Sequence, residues 1–248
     1  MSEKPLAGRV ALVTGAGRGM GREIAIRLAD DGAVVIVHYA SSRAGADETV
    51  QAIKTAGGDA VAYGADISSR QAVIDLFAAI DQNPGRLDIV VNSSGVSGGG
   101  SLANLDEDQL EWMLGVNLRG PLFIASEAAK RLGEGGRIIN IGSSLAEFPM
   151  AGSGIYSAVK SALKSFTDSW AKELGKQGVT VNTVIPGATS PGMAERTPEP
   201  YRAFYQNASP FQRIGRAEEV AAVVAFLASP AASWVSGAHI LANGAANA

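Results

Sequence analysis

The stretch Val10-Ala11-Leu12-Val13-Thr14-Gly15-Ala16-Gly17-Arg18-Gly19-Met20-Gly21 decides how the chain is read. An apolar run opens it and glycines close it. Helical periodicity begins at once, over residues 20–31. Glycine lets the backbone turn tightly and approach a pyrophosphate, and the start of a helix offers unpaired N–H groups and a positive dipole end. A glycine pattern alone is a weak signal. Between a first strand and a first helix it reads as a dinucleotide-phosphate turn, with Gly15, Gly17, Arg18, Gly19, Met20 and Gly21 as candidate contacts.

Outward from this turn, short β-branched runs alternate with longer helical stretches. The strand candidates are residues 10–14, 34–39, 60–64, 89–92, 137–141, 179–185 and 238–241. Several are apolar on both faces, as parallel strands covered by helices are. Helices are expected near 20–31, 43–56, 69–81, 107–132, 155–175 and 217–228. In the fifth, Val159, Leu163, Phe166, Trp170 and Leu174 recur at steps of three or four, which predicts one buried stripe. The βαβα alternation predicts an α/β fold: a doubly wound parallel sheet of seven strands with helices on both faces. No composition break marks a linker, so residues 1–248 read as a single domain. The stretch 187–209 departs from regularity. It carries prolines at 191, 198 and 200, with another at 210, and reads as a binding loop or lid with one short helix.

Composition narrows the function. A net charge of −3 without a run of like charge argues against a nucleic-acid groove or an anionic-membrane patch. The chain has no cysteine, which removes disulfides, thiolate metal sites and cysteine nucleophiles. With only His38 and His239, histidine metal clusters and Ser–His–Asp triads are poorly supplied, and no metal site is expected. No apolar signal core precedes the first strand, and the apolar stretch 220–228 is about half the length that spans a bilayer. A soluble, cytoplasmic protein is the expectation.

The second strand ends at His38-Tyr39, followed by Ala40-Ser41-Ser42-Arg43. NAD-binding folds place a carboxylate near this point to grip the adenosine ribose. Here two hydroxyls and a guanidinium stand instead, with Arg18 nearby in the glycine turn. Tyr39, Ser41, Ser42 and Arg43 therefore suit a 2′-phosphate, and the cofactor expected is NADP(H). Tyr156 and Lys160 lie four apart on a helix and share a face. A nearby ammonium favours the phenolate and would lower the tyrosine pKa. Ser143-Ser144 closes the preceding strand, at the sheet edge where such folds bind ligands.

Together these residues resemble the short-chain dehydrogenase/reductase family, in its single-domain branch, from Val10 to Gly244. The motif usually written Asn-Asn-Ala-Gly stands as Asn92-Ser93-Ser94-Gly95. Asn117 matches the helical asparagine, Ser143 the catalytic serine, and Tyr156 with Lys160 the signature pair. Asp66-Ile67 matches the adenine-contacting pair, and Pro186-Gly187 the turn after strand six. The resemblance implies a Rossmann fold and hydride transfer between a nicotinamide and a carbonyl carbon. It gives Tyr156 the proton, Ser143 the substrate oxygen, and Lys160 the nicotinamide ribose and the lowering of the Tyr156 pKa. Asn117 would hold a water linking Lys160 to solvent.

Three departures stand out. Ser93-Ser94 replaces Asn-Ala, and Asn243-Gly244-Ala245 replaces Asp-Gly-Gly. Pro191 occupies the place of a threonine that contacts the carboxamide, leaving Thr189 or Ser190 to substitute. The resemblance points to an NADP(H)-dependent oxidoreductase acting on a small-molecule ketone or secondary alcohol. A 3-oxoacyl-thioester reductase and a sugar or polyol dehydrogenase are alternatives, and a non-catalytic dinucleotide sensor is the alternative from another class. The substrate pocket is expected among Leu145, Phe148, Met150, residues 187–209, and Trp112 or Tyr205. Residues 188–209 are expected to close over bound cofactor. Relatives are commonly tetramers, so helices 107–132 and 155–175 and the tail 238–248 are expected at subunit contacts of a homotetramer.

Overall fold

The computed structural model describes residues 4–192, 199 and 201–246. The central sheet is built from β1 (Val10–Val13), β2 (Val34–Tyr39), β3 (Asp59–Gly64), β4 (Ile89–Asn92), β5 (Arg137–Ile141), β6 (Thr180–Pro186) and β9 (His239–Ala242). Their order is β3-β2-β1-β4-β5-β6-β9, and every pairing is parallel. Two short strands, β7 (Thr189–Ser190) and β8 (Gly215–Arg216), form a separate pair. The seven-stranded doubly wound sheet is as expected.

Every residue of β1, β4, β5 and β6 is buried, which is what continuous apolar runs such as Val-Ala-Leu-Val require. The helices that cover them are α1 (Gly19–Asp30), α2 (Arg43–Thr55), α3 (Arg70–Gln82), α4 (Glu107–Leu114), α5 (Gly120–Ala128), α6 (Gly154–Leu174), α7 (Tyr201–Ala208) and α8 (Ala217–Ala228). On one face α1, α2 and α8 bury Ile24, Leu28, Ile53, Val220 and Val224 against Val13, Val35 and Ile139. On the other, α3, α5 and α6 bury Phe77, Ile80, Ile124 and Leu174 against Leu12, Ile36, Val90 and Ile138. The core thus lies in two layers, one on each side of the sheet.

Two expectations change in detail. The helix read over 107–132 is broken by a π-helical turn at Gly115–Arg119, between α4 and α5, and Asn117 sits in that turn. In the α6 stripe Val159, Leu163 and Leu174 are buried, whereas Phe166 and Trp170 are partly exposed and stack on each other at 4.8 Å. The short helix expected inside 187–209 is α7. Residues 193–198 and 200 of that stretch, prolines 198 and 200 among them, lie outside the described residues, as do 1–3 and 247–248. Among the described residues no helix is long and apolar enough to cross a membrane, and no metal-ligating cluster occurs.

The strand order reverses between β1 and β4. Their C-terminal ends therefore open a crevice, and the glycine turn and the β4 loop form its two walls.

Candidate active site

The glycine turn is shaped by close packing. Gly15 has φ +70°, and a Cβ there would come within 3.0 Å of Ser94. A Cβ on Gly21 would meet the Gly15 carbonyl oxygen at 2.4 Å, so α1 can seat on the turn only with glycine at 21. Helices α3 and α4 are capped by Ser69 and Asp106, whose side chains accept N–H bonds. Like α2, α5 and α6, α1 has no side-chain cap and no acidic residue in its first turn, but it alone of these follows the glycine turn. Its N–H groups are left to an anion, and a diphosphate fits there. Arg18 is exposed at this N-cap. Gly192 passes close by, its Cα 3.4 Å from where a Gly19 Cβ would stand, so the start of the 187–209 stretch reaches over the turn.

The opposite wall is tied to the same turn. The Thr14 hydroxyl oxygen accepts N–H bonds from Ser93 and Ser94 at 3.0 and 2.9 Å. Gly95 then runs over the buried pair below it. A Cβ there would lie 3.4 Å from both Asn117 Oδ1 and Lys160 Nζ.

At the adenosine end, the Tyr39 ring lies against Gly64, where a Cβ would come within 2.8 Å of it. The Tyr39 phenol and then Asp47 raise the pKa of Arg43. Ser41, Ser42 and Arg43 are exposed, and Arg43 Nε donates to Asp47 Oδ2 at 3.3 Å. These groups fit a 2′-phosphate in chemistry and in access. The neighbouring predicted contacts are placed as follows. Ile67 is buried under α5, its side chain against Gly120. Asp66 is exposed, with Oδ1 accepting from the Ser68 N–H and hydroxyl. Asn92 points into the sheet, where Nδ2 donates to Asn140 Oδ1 at 2.8 Å. Pro186 is buried at the end of β6. Gly187 packs on Asn243, and Thr189 is buried in β7.

Ser143, Tyr156 and Lys160 converge at the carboxyl edge of β5. Ser143 caps a short 3₁₀ turn, its Oγ accepting the Leu145 N–H at 3.2 Å. The turn is held onto α6 by Ser161, whose hydroxyl donates to the Ala146 carbonyl, and by the Lys164–Glu147 ion pair. The Tyr156 phenol is buried, with the Ser143 hydroxyl close enough to influence its titration. Burial raises its pKa, the Ser143 hydroxyl opposes that rise, and the Tyr205 phenol on α7 adds to it. This corrects the expectation of a lowered tyrosine pKa, because desolvation of the phenolate outweighs the other effects. Lys160 is 4% exposed, and Nζ donates to the Ile141 carbonyl at 2.9 Å, 6.0 Å from the Tyr156 ring centroid. Burial brings its pKa down to about 8.

Asn117 takes a further part: its Oδ1 accepts the Val96 N–H at 2.9 Å and its Nδ2 donates to the Val96 carbonyl at 2.8 Å. It anchors the β4 loop. Around the centre, Leu145 and Met150 are partly exposed, Phe148 and Trp112 are exposed, and Tyr205 is close enough to influence Tyr156. The sequence reading missed Thr14, Val96, Glu147, Ser161, Lys164 and His38 as supports. Of these His38 carried a signal, a polar ring directly after the apolar run Val34–Val37, and Lys164 a weaker one, four residues beyond Lys160.

A sequence model described as enoyl-(acyl carrier protein) reductase matches residues 15–246. An oxidoreductase of Methylorubrum extorquens is 42% identical over 245 residues, covering 96% of this chain and 98% of that protein. A trihydroxynaphthalene reductase of Colletotrichum orbiculare is 37% identical, covering 99% and 92%. Among solved structures, the angucycline C-6 ketoreductase LanV with bound NADP superposes with a TM-score of 0.92 at 36% identity, covering 97% and 96%.

Proposed function

The chain belongs to the short-chain dehydrogenase/reductase family, and from that premise we propose that it is an NADP(H)-dependent oxidoreductase that interconverts a ketone and a secondary alcohol, working as a reductase. The observation that carries the reading is the convergence of Ser143, buried Tyr156 and buried Lys160, whose Nζ bonds the Ile141 carbonyl 6.0 Å from the Tyr156 ring centroid, at the open edge of β5. Two hydroxyls side by side suit one carbonyl oxygen.

When bound, the nicotinamide supplies the hydride to the carbonyl carbon. Tyr156 gives its proton to the carbonyl oxygen, and Ser143 holds that oxygen in place. Burial keeps the phenol protonated, the state a reductase needs before reaction. Protonated Lys160 has three N–H bonds, one of them already given to Ile141. The others serve the nicotinamide ribose and favour the phenolate as the proton leaves. Asn117 fixes the β4 loop, against which the cofactor would lie. The apolar rim of Leu145, Phe148 and Met150, with Tyr205, favours a bulky, largely apolar carbonyl compound. The named activities of the naphthalene reductase and the angucycline ketoreductase support that class.

The same reading includes a closed, symmetric tetramer. In support, β9 is an edge strand, Leu241 on it is exposed, and so is Trp234 just before it. Light scattering at micromolar concentration tests this, and a stable monomer opposes it. A thioester reductase is a second reading, favoured by the description of the matching family model. A panel of cyclic aromatic ketones, 3-oxoacyl and enoyl thioesters, and polyols, followed at the reduced-nicotinamide absorbance with NADPH and NADH, decides among these. Turnover of ketones with NADPH is the expected result. Turnover of the enoyl thioester alone, or of none, opposes the proposal.

A further inference from the structure

His38 is fully buried near the end of β2, yet it touches two separate parts of the crevice. Its Nδ1 lies 3.2 Å from the Gly15 backbone nitrogen, and its Nε2 lies 3.0 Å from the Ala65 carbonyl oxygen. A backbone N–H only donates and a carbonyl oxygen only accepts. One state of the ring satisfies both: neutral, bare at Nδ1 and protonated at Nε2. An imidazolium would turn an N–H toward the N–H of Gly15. Burial works the same way and lowers the pKa of His38 to about 4. The ionisable group whose charge reaches it is Asp66, exposed on the β3 loop. Gly15 and Ala65 meet the ring through backbone alone.

The two partners matter for what they carry. Gly15 begins the glycine turn, and its carbonyl oxygen is the surface on which α1 seats at Gly21. Ala65 leads directly into Asp66. The backbone strengthens the joint, with the Ala16 N–H donating to the His38 carbonyl at 2.9 Å and the Ala65 N–H donating to the Tyr39 carbonyl at 3.0 Å. The imidazole is thus the side-chain brace between the turn that faces a diphosphate and the loop that faces an adenine.

We propose that His38 is a positioning residue of the dinucleotide site, which as a neutral ring protonated on Nε2 locks the Gly15 turn to the Ala65–Asp66 loop and so fixes the spacing of the diphosphate and adenine subsites. The proposal rests on the dinucleotide reading above. It predicts that the ring sets cofactor affinity while leaving the Ser143–Tyr156 chemistry alone.

The test is calorimetric binding of 2′,5′-ADP to the parent protein, to His38→Leu and to His38→Asn, together with kcat at saturating NADPH. Asparagine can still offer an oxygen to the Gly15 N–H, and leucine cannot. Leucine should weaken 2′,5′-ADP binding at least tenfold, asparagine by less than about threefold, and kcat should change less than threefold in both. A leucine variant that binds as the parent does overturns the proposal while the cofactor reading stands. A parent that does not bind 2′,5′-ADP overturns both. Should the leucine variant fail to fold, the imidazole ¹⁵N spectrum of the parent decides. A neutral ring protonated on Nε2 from pH 5 to 9 supports the brace, and the other tautomer or an imidazolium at pH 6 overturns it.

Discussion

Asn117 holds Val96 by both backbone groups, accepting its N–H at 2.9 Å and donating to its carbonyl at 2.8 Å. The asparagine lies in a π-helical turn and the valine in the loop after β4, so this clamp joins the helix layer to the crevice wall. Asn117→Ala leaves two part-buried backbone groups unpaired. The expected loss is about 1–3 kcal/mol of stability per orphaned group. Because Gly95 sits over Lys160, kcat/KM should fall at least tenfold as well. Thermal unfolding and steady-state kinetics check both, and parent-like values for the alanine variant would remove Asn117 from the account.

Lys160 makes stability depend on pH. Its folded pKa is about 8, against an ordinary 10.5, with burial as the cause. Between these values the unfolded chain holds a proton that the native protein has released, so stability rises with pH through that window. Below pH 8 the full burial cost applies, on the order of 3 kcal/mol. Lys160→Met removes this cost and leaves the Ile141 carbonyl without its donor, a partial offset. The variant should therefore melt at or above the parent at pH 7, lose that advantage by pH 10, and turn over at least a hundredfold more slowly. Parallel melting curves at the two pH values would contradict the assignment.

The Lys164–Glu147 pair bridges α6 and the turn that carries Ser143. Both side chains are partly exposed, so the pair is worth at most about 1 kcal/mol. That corresponds to roughly a fivefold effect on rate. Lys164→Ala should lower kcat two- to fivefold without changing cofactor affinity. The charge-reversed double variant Glu147→Lys/Lys164→Glu should recover most of the loss. If the double variant is worse than either single one, the pair does not position Ser143.

Much of this site is legible along the chain because local pattern dictates it. Glycines at 15 and 21 are required by close approaches of backbone, and Tyr156 with Lys160 share a helix face. The seven strands follow from apolar runs that only a doubly covered sheet can bury. What escapes the sequence is long-range pairing. Nothing in residues 92–96 says that Thr14 holds Ser93 and Ser94, or that Asn117 holds Val96. The direction of the Tyr156 shift escapes for the same reason. Spacing puts Lys160 nearby, but only the packed structure shows that burial of the phenol sets the direction. Asn92 and Ile67 match motif positions, yet their side chains serve the sheet and the core.

Cofactor choice should follow the exposed groups after β2. Charge-assisted hydrogen bonds from one or two of Arg18, Ser41, Ser42 and Arg43 predict a preference for NADP(H) of about ten- to a thousandfold in kcat/KM, after screening. Tyr39→Asp should erode it by placing an anion near the phosphate, and Arg43→Ala should weaken NADP(H) more than NAD(H). Asp47 competes for Arg43 in the structure, so Asp47→Ala should strengthen the preference by about twofold, the worth of an exposed i,i+4 pair. Raising the salt concentration should narrow the gap between cofactors. Equal specificity constants for the two cofactors on one substrate would overturn the NADP(H) assignment and leave the reductase reading in place.

In the proposed reaction Tyr156 delivers the proton to a carbonyl oxygen. Tyr156→Phe keeps the ring and removes only the donor. General acid catalysis is worth about a hundred- to ten-thousandfold. The most direct measurement is single-turnover reduction of the best ketone by the phenylalanine variant at saturating NADPH, with cofactor binding measured on the same sample. The expected rate is at least a hundredfold below the parent, with NADPH affinity within about threefold. A variant that keeps a tenth of the parent rate, a barrier change of only about 1.4 kcal/mol, would show that Tyr156 is not the acid.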